Sequence, residues 1–94
     1  MKAIEYTAEA RQDLLQALSY YEDAQEGLAS DFYEEVVSGE QSIRELPEFW
    51  HQFSENYRRK HLKRYPFSLV YRITTHCIVI VAVAHSSRAP NYWT

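Results

Sequence analysis

Ninety-four residues, 46% of them apolar, suffice for one compact domain and leave no room for a second core. A formal net charge of −3 argues against a general nucleic-acid binder, and the lone cysteine, Cys77, excludes an intramolecular disulfide. Met1-Lys2-Ala3-Ile4-Glu5 lacks the apolar core of a signal peptide, and the longest apolar run, Cys77 to Ala84, is far short of the roughly 20 residues of a membrane span. The expectation is a single soluble, cytoplasmic domain over 1–94 with no membrane contact and with Cys77 as a buried, inert thiol.

The net charge conceals a division along the chain. All 13 Asp and Glu residues fall within 1–55, against Lys2, Arg11 and Arg44, a balance of −10. Residues 56–94 carry seven Lys and Arg and no carboxylate, a balance of +7. Such polarity steers association and sets orientation more than it sets fold.

Lys2 to Tyr6 alternates and predicts a short strand, followed by Thr7 as a helix cap with Glu9 favourably placed in the first turn. Between Ala8 and Gln25, Leu14, Leu18 and Tyr21 recur at helical spacing, with Leu15 widening the apolar stripe and Gly27 stopping the helix. A second helix follows from Leu28, Phe32, Val36, Gly39, Ile43 and Leu46, ending at Pro47; Gly39 on the stripe lets another backbone approach closely. The short connection folds the two helices into an antiparallel hairpin.

Pro47 to Glu55 reads as a connector whose Phe49, Trp50 and Phe53 cover a core edge. Tyr57 to Tyr65 offers little apolar surface beyond Leu62, so it predicts an edge strand protected by its charges. Alternation puts Arg59, His61 and Lys63 on one face and Arg58, Lys60, Leu62 and Arg64 on the other, with Leu62 toward the helices. Phe67 to Ile73 is a strand, Thr74 to His76 a turn, and Ile78 to Ala84 a central strand covered on both faces. The predicted fold is therefore α+β, in the order β-α-α-β-β-β, with a helical hairpin on a small, mainly antiparallel sheet.

Four scattered histidines and one cysteine offer no metal site, and two glycines, both accounted for by helices, offer no phosphate loop; no cofactor is implied. The remaining chemistry is cationic and aromatic. Arg59, His61 and Lys63 form one candidate row, and His85, Arg88, Tyr92 and Trp93 a candidate tail that can converge with it on one sheet face. Together they can bind phosphates, with histidine for acid-base work and rings for stacking, or dock an acidic partner.

Several strings resemble the RelE/ParE superfamily of toxins, in particular its ParE-like, plasmid-stabilisation branch. They are Ala17 to Leu28 with its Ser19-Tyr20-Tyr21-Glu22 core, then Phe32, Ile43 and Pro47, Leu62 to Arg72, and above all the closing His85-Ser86-Ser87-Arg88-Ala89-Pro90-Asn91-Tyr92-Trp93. The resemblance implies the toxic half of a type II toxin-antitoxin pair, neutralised by a cognate antitoxin and meeting operator DNA only through it. RelE-like members cut messenger RNA on the ribosome without a metal, whereas ParE-like members poison DNA gyrase. In the ribonuclease pattern an arginine follows the aromatic that here is Phe67; this chain has Ser68. A preorganised donor of that kind is worth about 3 to 4 kcal/mol, so its loss favours the non-hydrolytic reading. Arg59, His61, Arg88 and Tyr92 are the catalytic candidates on the ribonuclease alternative. A degenerate member that binds antitoxin without toxicity is the third.

Overall fold

The computed structural model of the chain describes residues 1–88. Its elements are β1 (Ala3–Tyr6), α1 (Ala8–Ala24), α2 (Leu28–Glu45), β2 (His51–Gln52), β3 (Arg58–His61), β4 (Phe67–Ile73) and β5 (Cys77–His85). The predicted α+β order holds, with one addition. The aromatic connector carries the two-residue β2, which pairs His51 with Arg59 and Gln52 with Arg58, so β3 is covered there instead of forming the edge.

Thr7 caps α1 as expected, its hydroxyl accepting the Ala10 N–H at 3.1 Å. Gly27 makes the hairpin turn as the sequence predicts, but the cap of α2 comes from a residue that the spacing does not single out for that role. Gly27 takes φ +88°, where a side chain would be strained, and having none itself it cannot cap α2. The Glu22 carboxylate of α1 supplies the cap instead, accepting the N–H groups of Gly27 and Ala29 at 3.1 to 3.2 Å.

The sheet order is β1-β5-β4-β3-β2. β1 runs parallel to β5, pairing Ala3 with Cys77 and Tyr6 with Ile80, and the other neighbours are antiparallel. β5 is thus interior, as its apolar run predicted. A bulge opposite Val70 and Tyr71 makes Val81 the extra residue, because Val70 pairs with Ala82 and Tyr71 with Ile80. Inward and outward positions change phase there, which is why alternation is lost from the sequence of β5.

Both helices pack on one face of the sheet, around Phe32, Val36, Ile43, Leu69, Tyr71, Ile78 and Ile80, all fully buried. The predicted close approach at Gly39 is present: a Cβ there would lie 3.1 Å from Leu69 Cδ1 and 3.3 Å from Leu62 Cδ2. Leu62 points to the helices as expected. Leu15 and Leu46 do not belong to the core, being 53% and 55% exposed, and Cys77 is only half-buried, its Sγ 3.5 Å from Thr74 Oγ1. The outer face has its own smaller apolar cluster of Val70, Val81 and Ala82, roofed in part by Phe53 and Tyr57.

Candidate functional site

The run from Arg58 to Arg64 has the composition of a binding surface, but local structure already engages several of its cations. Arg58 faces the helices and holds the connector, donating to the carbonyls of Glu48 and Trp50 at 2.7 and 3.0 Å and to Gln52. Lys60, on the same face, sits 4.5 Å above the Trp50 ring and donates to the His61 carbonyl. Arg64 reaches α2, where it meets Asp31 at 3.1 Å and Glu35 at 3.0 Å. The acidic and basic halves of the chain meet in that contact.

Arg59 and His61 face outward together. Their cross-strand partners, Val70 and Ser68, lie on the side away from the helices. Lys63 is not in their row: β3 ends at His61, and Lys63 belongs to the exposed turn that closes where the Leu62 N–H donates to the Phe67 carbonyl. His51 enters the same outer row as Arg59 through β2. The Arg59 guanidinium lies over the Phe53 ring at 5.2 Å, and the His51 ring stacks on that of Phe53. Arg59 Nε is buried with no hydrogen-bond partner among the described residues. Beside it, His61 Nδ1 is 2.6 Å from Ser68 Oγ. Burial, then the neighbouring charges of Arg59, His51 and Lys60, depress the His61 pKa below 6.5, which keeps the ring neutral near pH 7.

The described part of the tail, His85 and Arg88, does not join this row. His85 pairs with Phe67, an inward position, so it projects to the helix side of the sheet. There it meets Phe67 edge-on at 5.0 Å, and its Nδ1 accepts the Ser87 N–H at 3.0 Å, which leaves the neutral ring's proton on Nε2. His85 and Arg88 line a cleft of about 560 Å³ between α1 and the ends of β4 and β5, with Asp13, Tyr20, Tyr21 and Phe67 on the other walls. Asp13 also accepts the Val83 N–H at 3.1 Å, fixing α1 against the stretch of β5 that runs past the end of β1. Among the described residues the two candidate groups, which the sequence allowed to converge, therefore occupy two places on opposite faces of the sheet. Tyr92 and Trp93 lie outside the described residues. Three or more His, Cys, Asp or Glu side chains able to hold a metal ion do not cluster among the described residues, and no helix there is long and apolar enough to cross a membrane.

Residues 4–90 match the family model described as the ParE toxin of the type II toxin-antitoxin system, parDE. The chain belongs to this family. Toxin ParE2 of Mycobacterium tuberculosis, from strains CDC 1551 and H37Rv, is 31% identical over 80 residues, which span 84% of this chain and 76% of the relative. A solved structure titled as the chromosomal ParDE TA system from P. aeruginosa superposes with a TM-score of 0.78 over 90% of this chain and 96% of its own, at 19% identity, a likeness of fold.

The chain is thus a ParE-type toxin of a type II toxin-antitoxin system, as the strand and tail strings implied. The match runs from β1 through β5 and so takes in both the outer row and the cleft. Sequence reasoning missed His51 and Phe53, because only the β2 pairing brings the connector beside Arg59. It also missed Asp13, whose partner is 70 residues away.

Proposed function

We propose that this ParE-type toxin is held inactive by a cognate antitoxin whose helix lies against the hairpin and anchors in the cleft beside α1, and that the toxin acts by binding its target, DNA gyrase, without hydrolysing it. The separation of histidines supports binding over cleavage. His61 and Arg59 face outward while His85 and Arg88 face the cleft, so the described acid-base and cationic candidates do not surround a common reacting atom. At the position after Phe67, where the ribonuclease pattern has arginine, Ser68 is 9% exposed and its hydroxyl is taken by His61. No guanidinium projects there to stabilise a pentavalent phosphate.

The antitoxin reading draws on the cleft. Tyr20, 69% exposed on α1, and the rings of Tyr21 and Phe67 give it aromatic walls suited to a partner's apolar anchor, and Arg88 and His85 set polar groups at its margin. Expression of the toxin alone should arrest growth, co-expression of the neighbouring gene's product should restore it, and purified toxin should inhibit gyrase supercoiling. Normal growth at high toxin expression would instead mark a degenerate member. Site-specific messenger-RNA cleavage on induction, with gyrase unaffected, would move the activity to the ribosome.

A further inference from the structure

The outer row contains an unanswered charge. Arg64 and Arg59 belong to the same basic run, yet Arg64 has the carboxylates of Asp31 and Glu35 against it, while Arg59 has a ring face and an Nε without a partner among the described residues. A buried guanidinium N–H left unmade costs more than an average hydrogen bond returns, so the arrangement is complete only when an acceptor arrives. Among the described residues, the charges acting on His61 are cationic: Arg59 and Lys60 of its own strand and His51 of β2. From β4 it is met by the hydroxyl of Ser68, and the β5 residue in that row is Ala84. The row thus offers a fork-shaped donor, two imidazoles and a hydroxyl, with no carboxylate of the described residues among them.

We propose that Arg59, flanked by His51 and His61, forms an oxyanion subsite on the outer face of the sheet that receives a carboxylate side chain of the antitoxin. The inference rests on the antitoxin reading above and adds a second, polar anchor on the face opposite the cleft. A planar carboxylate matches the guanidinium fork in two parallel bonds, as the carboxylates around Arg64 illustrate on the helix side. The surroundings favour a peptide over a nucleic-acid strand. A single strand needs free ring faces for its bases, and the Phe53 ring is already covered by Arg59 and stacked on His51. An antitoxin segment that reaches both faces grips the sheet from two sides. Loss of the subsite should therefore act mainly on dissociation.

The test uses the full-length toxin and the antitoxin encoded beside it, with affinity and dissociation rate measured for wild type, Arg59→Gln, Arg59→Lys and Arg72→Gln. Arg72 is an exposed cation of β4 that serves as the control for general charge. Thermal melts establish which variants fold, and Arg59→Lys keeps the charge if Arg59→Gln does not. The expected result is a loss of about 30-fold or more for Arg59→Gln, mostly in dissociation rate, a clear loss for Arg59→Lys because the fork is gone, and little change for Arg72→Gln. Wild-type affinity in a folded Arg59→Gln or Arg59→Lys variant overturns the subsite and leaves the antitoxin reading intact. Absence of any complex with the wild-type toxin overturns that reading as well. An RNA oligonucleotide that binds the free toxin through Arg59, while antitoxin affinity ignores Arg59, makes the occupant a nucleic-acid phosphate and also overturns the proposal.

Discussion

Arg64 Nε lies 3.0 Å from the Glu35 carboxylate, and the Arg64 backbone N–H donates to the same group, so one side chain of α2 holds both the backbone and the guanidinium of the β3–β4 turn. Asp31, one helical turn earlier, accepts from Arg64 and from the Tyr65 hydroxyl. The pair of helix carboxylates is a latch between layers that no local pattern joins.

The latch should make stability depend on pH at both ends. Hydrogen bonds from Tyr65 and then Arg64 hold Asp31 below its ordinary value; burial works against ionised Glu35, but the bonds from Arg64 and Lys63 more than offset it. Both contributions are present above the usual carboxyl range and fade as pH falls through the lowered folded values. The Tyr65 phenol is pushed up to about 12, first by its hydrogen bond to Asp31, so its contribution is present below pH 10 and fades as pH rises toward about 12. Denaturant titrations across pH should show a plateau between these limits, and Asp31→Asn should flatten both shoulders. Because Arg64 is well exposed, Glu35→Gln should cost only about 1 kcal/mol at neutral pH. Unchanged shoulders in Asp31→Asn would mean that the latch is not the titrating element.

Phe32 is fully buried, with Tyr21, Tyr65 and Phe67 all at ring-centroid distances of 5.0 to 5.2 Å from it or within one ring of it. Tyr21 and Phe67 also line the cleft. Phe32→Ala should therefore cost about 3 to 5 kcal/mol, a large part of the stability of a domain this small, and weaken antitoxin binding by loosening the cleft wall. Calorimetric unfolding measures the first effect and affinity measured well below the melting temperature the second. A folded variant with native affinity would separate the cleft from the core.

Much of this fold could be read from the chain because its signals are local. The Thr7 cap, the Gly27 turn, the stripe of Phe32, Val36, Gly39 and Ile43 and the orientation of Leu62 each follow from spacing or from a single residue's backbone preference. What escaped depends on register between distant strands. The phase change at Val81 lies in a run with no alternation to mark it. His51 joins Arg59 only through a two-residue pairing too short for any periodicity, and the opposite facing of His61 and His85 follows from the pairs His61–Ser68 and Phe67–His85. Alternation did separate Arg58 and Lys60 from Arg59 and His61, but the contacts that engage Arg58, Lys60 and Arg64 come from the connector and α2 and leave no local trace.

The tight contact at Gly39 sets the distance between α2 and the sheet. Gly39→Ala brings Cβ to 3.1 Å from Leu69 Cδ1, but Leu69 and Leu62 present flexible side-chain ends, and alanine returns about 1 kcal/mol of helix propensity. The net change should be small. Gly39→Val adds bulk that those two leucines cannot yield to without leaving their rotamers, and should destabilise by about 1 to 3 kcal/mol in thermal or denaturant unfolding. Equal stability of the valine variant would show that α2 can lift off β3 and β4 freely.

His61 provides a direct reading of the field on the outer face. Its depressed pKa means that the folded state takes up its proton later than the unfolded chain as pH falls, so the neutral ring contributes stability above about pH 6.5 that is lost as pH falls through the lower folded value. A pH titration followed by NMR should place its midpoint below the ordinary histidine value. Arg59→Gln removes one of the repelling charges and should move that midpoint up, though only part of the way, because burial is the larger cause. Ser68→Ala removes the hydroxyl 2.6 Å from Nδ1, and should alter the ring's tautomer balance in nitrogen chemical shifts while the fold is retained. A midpoint that ignores Arg59 would mean that the guanidinium does not act on the imidazole, and the two side chains would then have to be treated as independent features of the face.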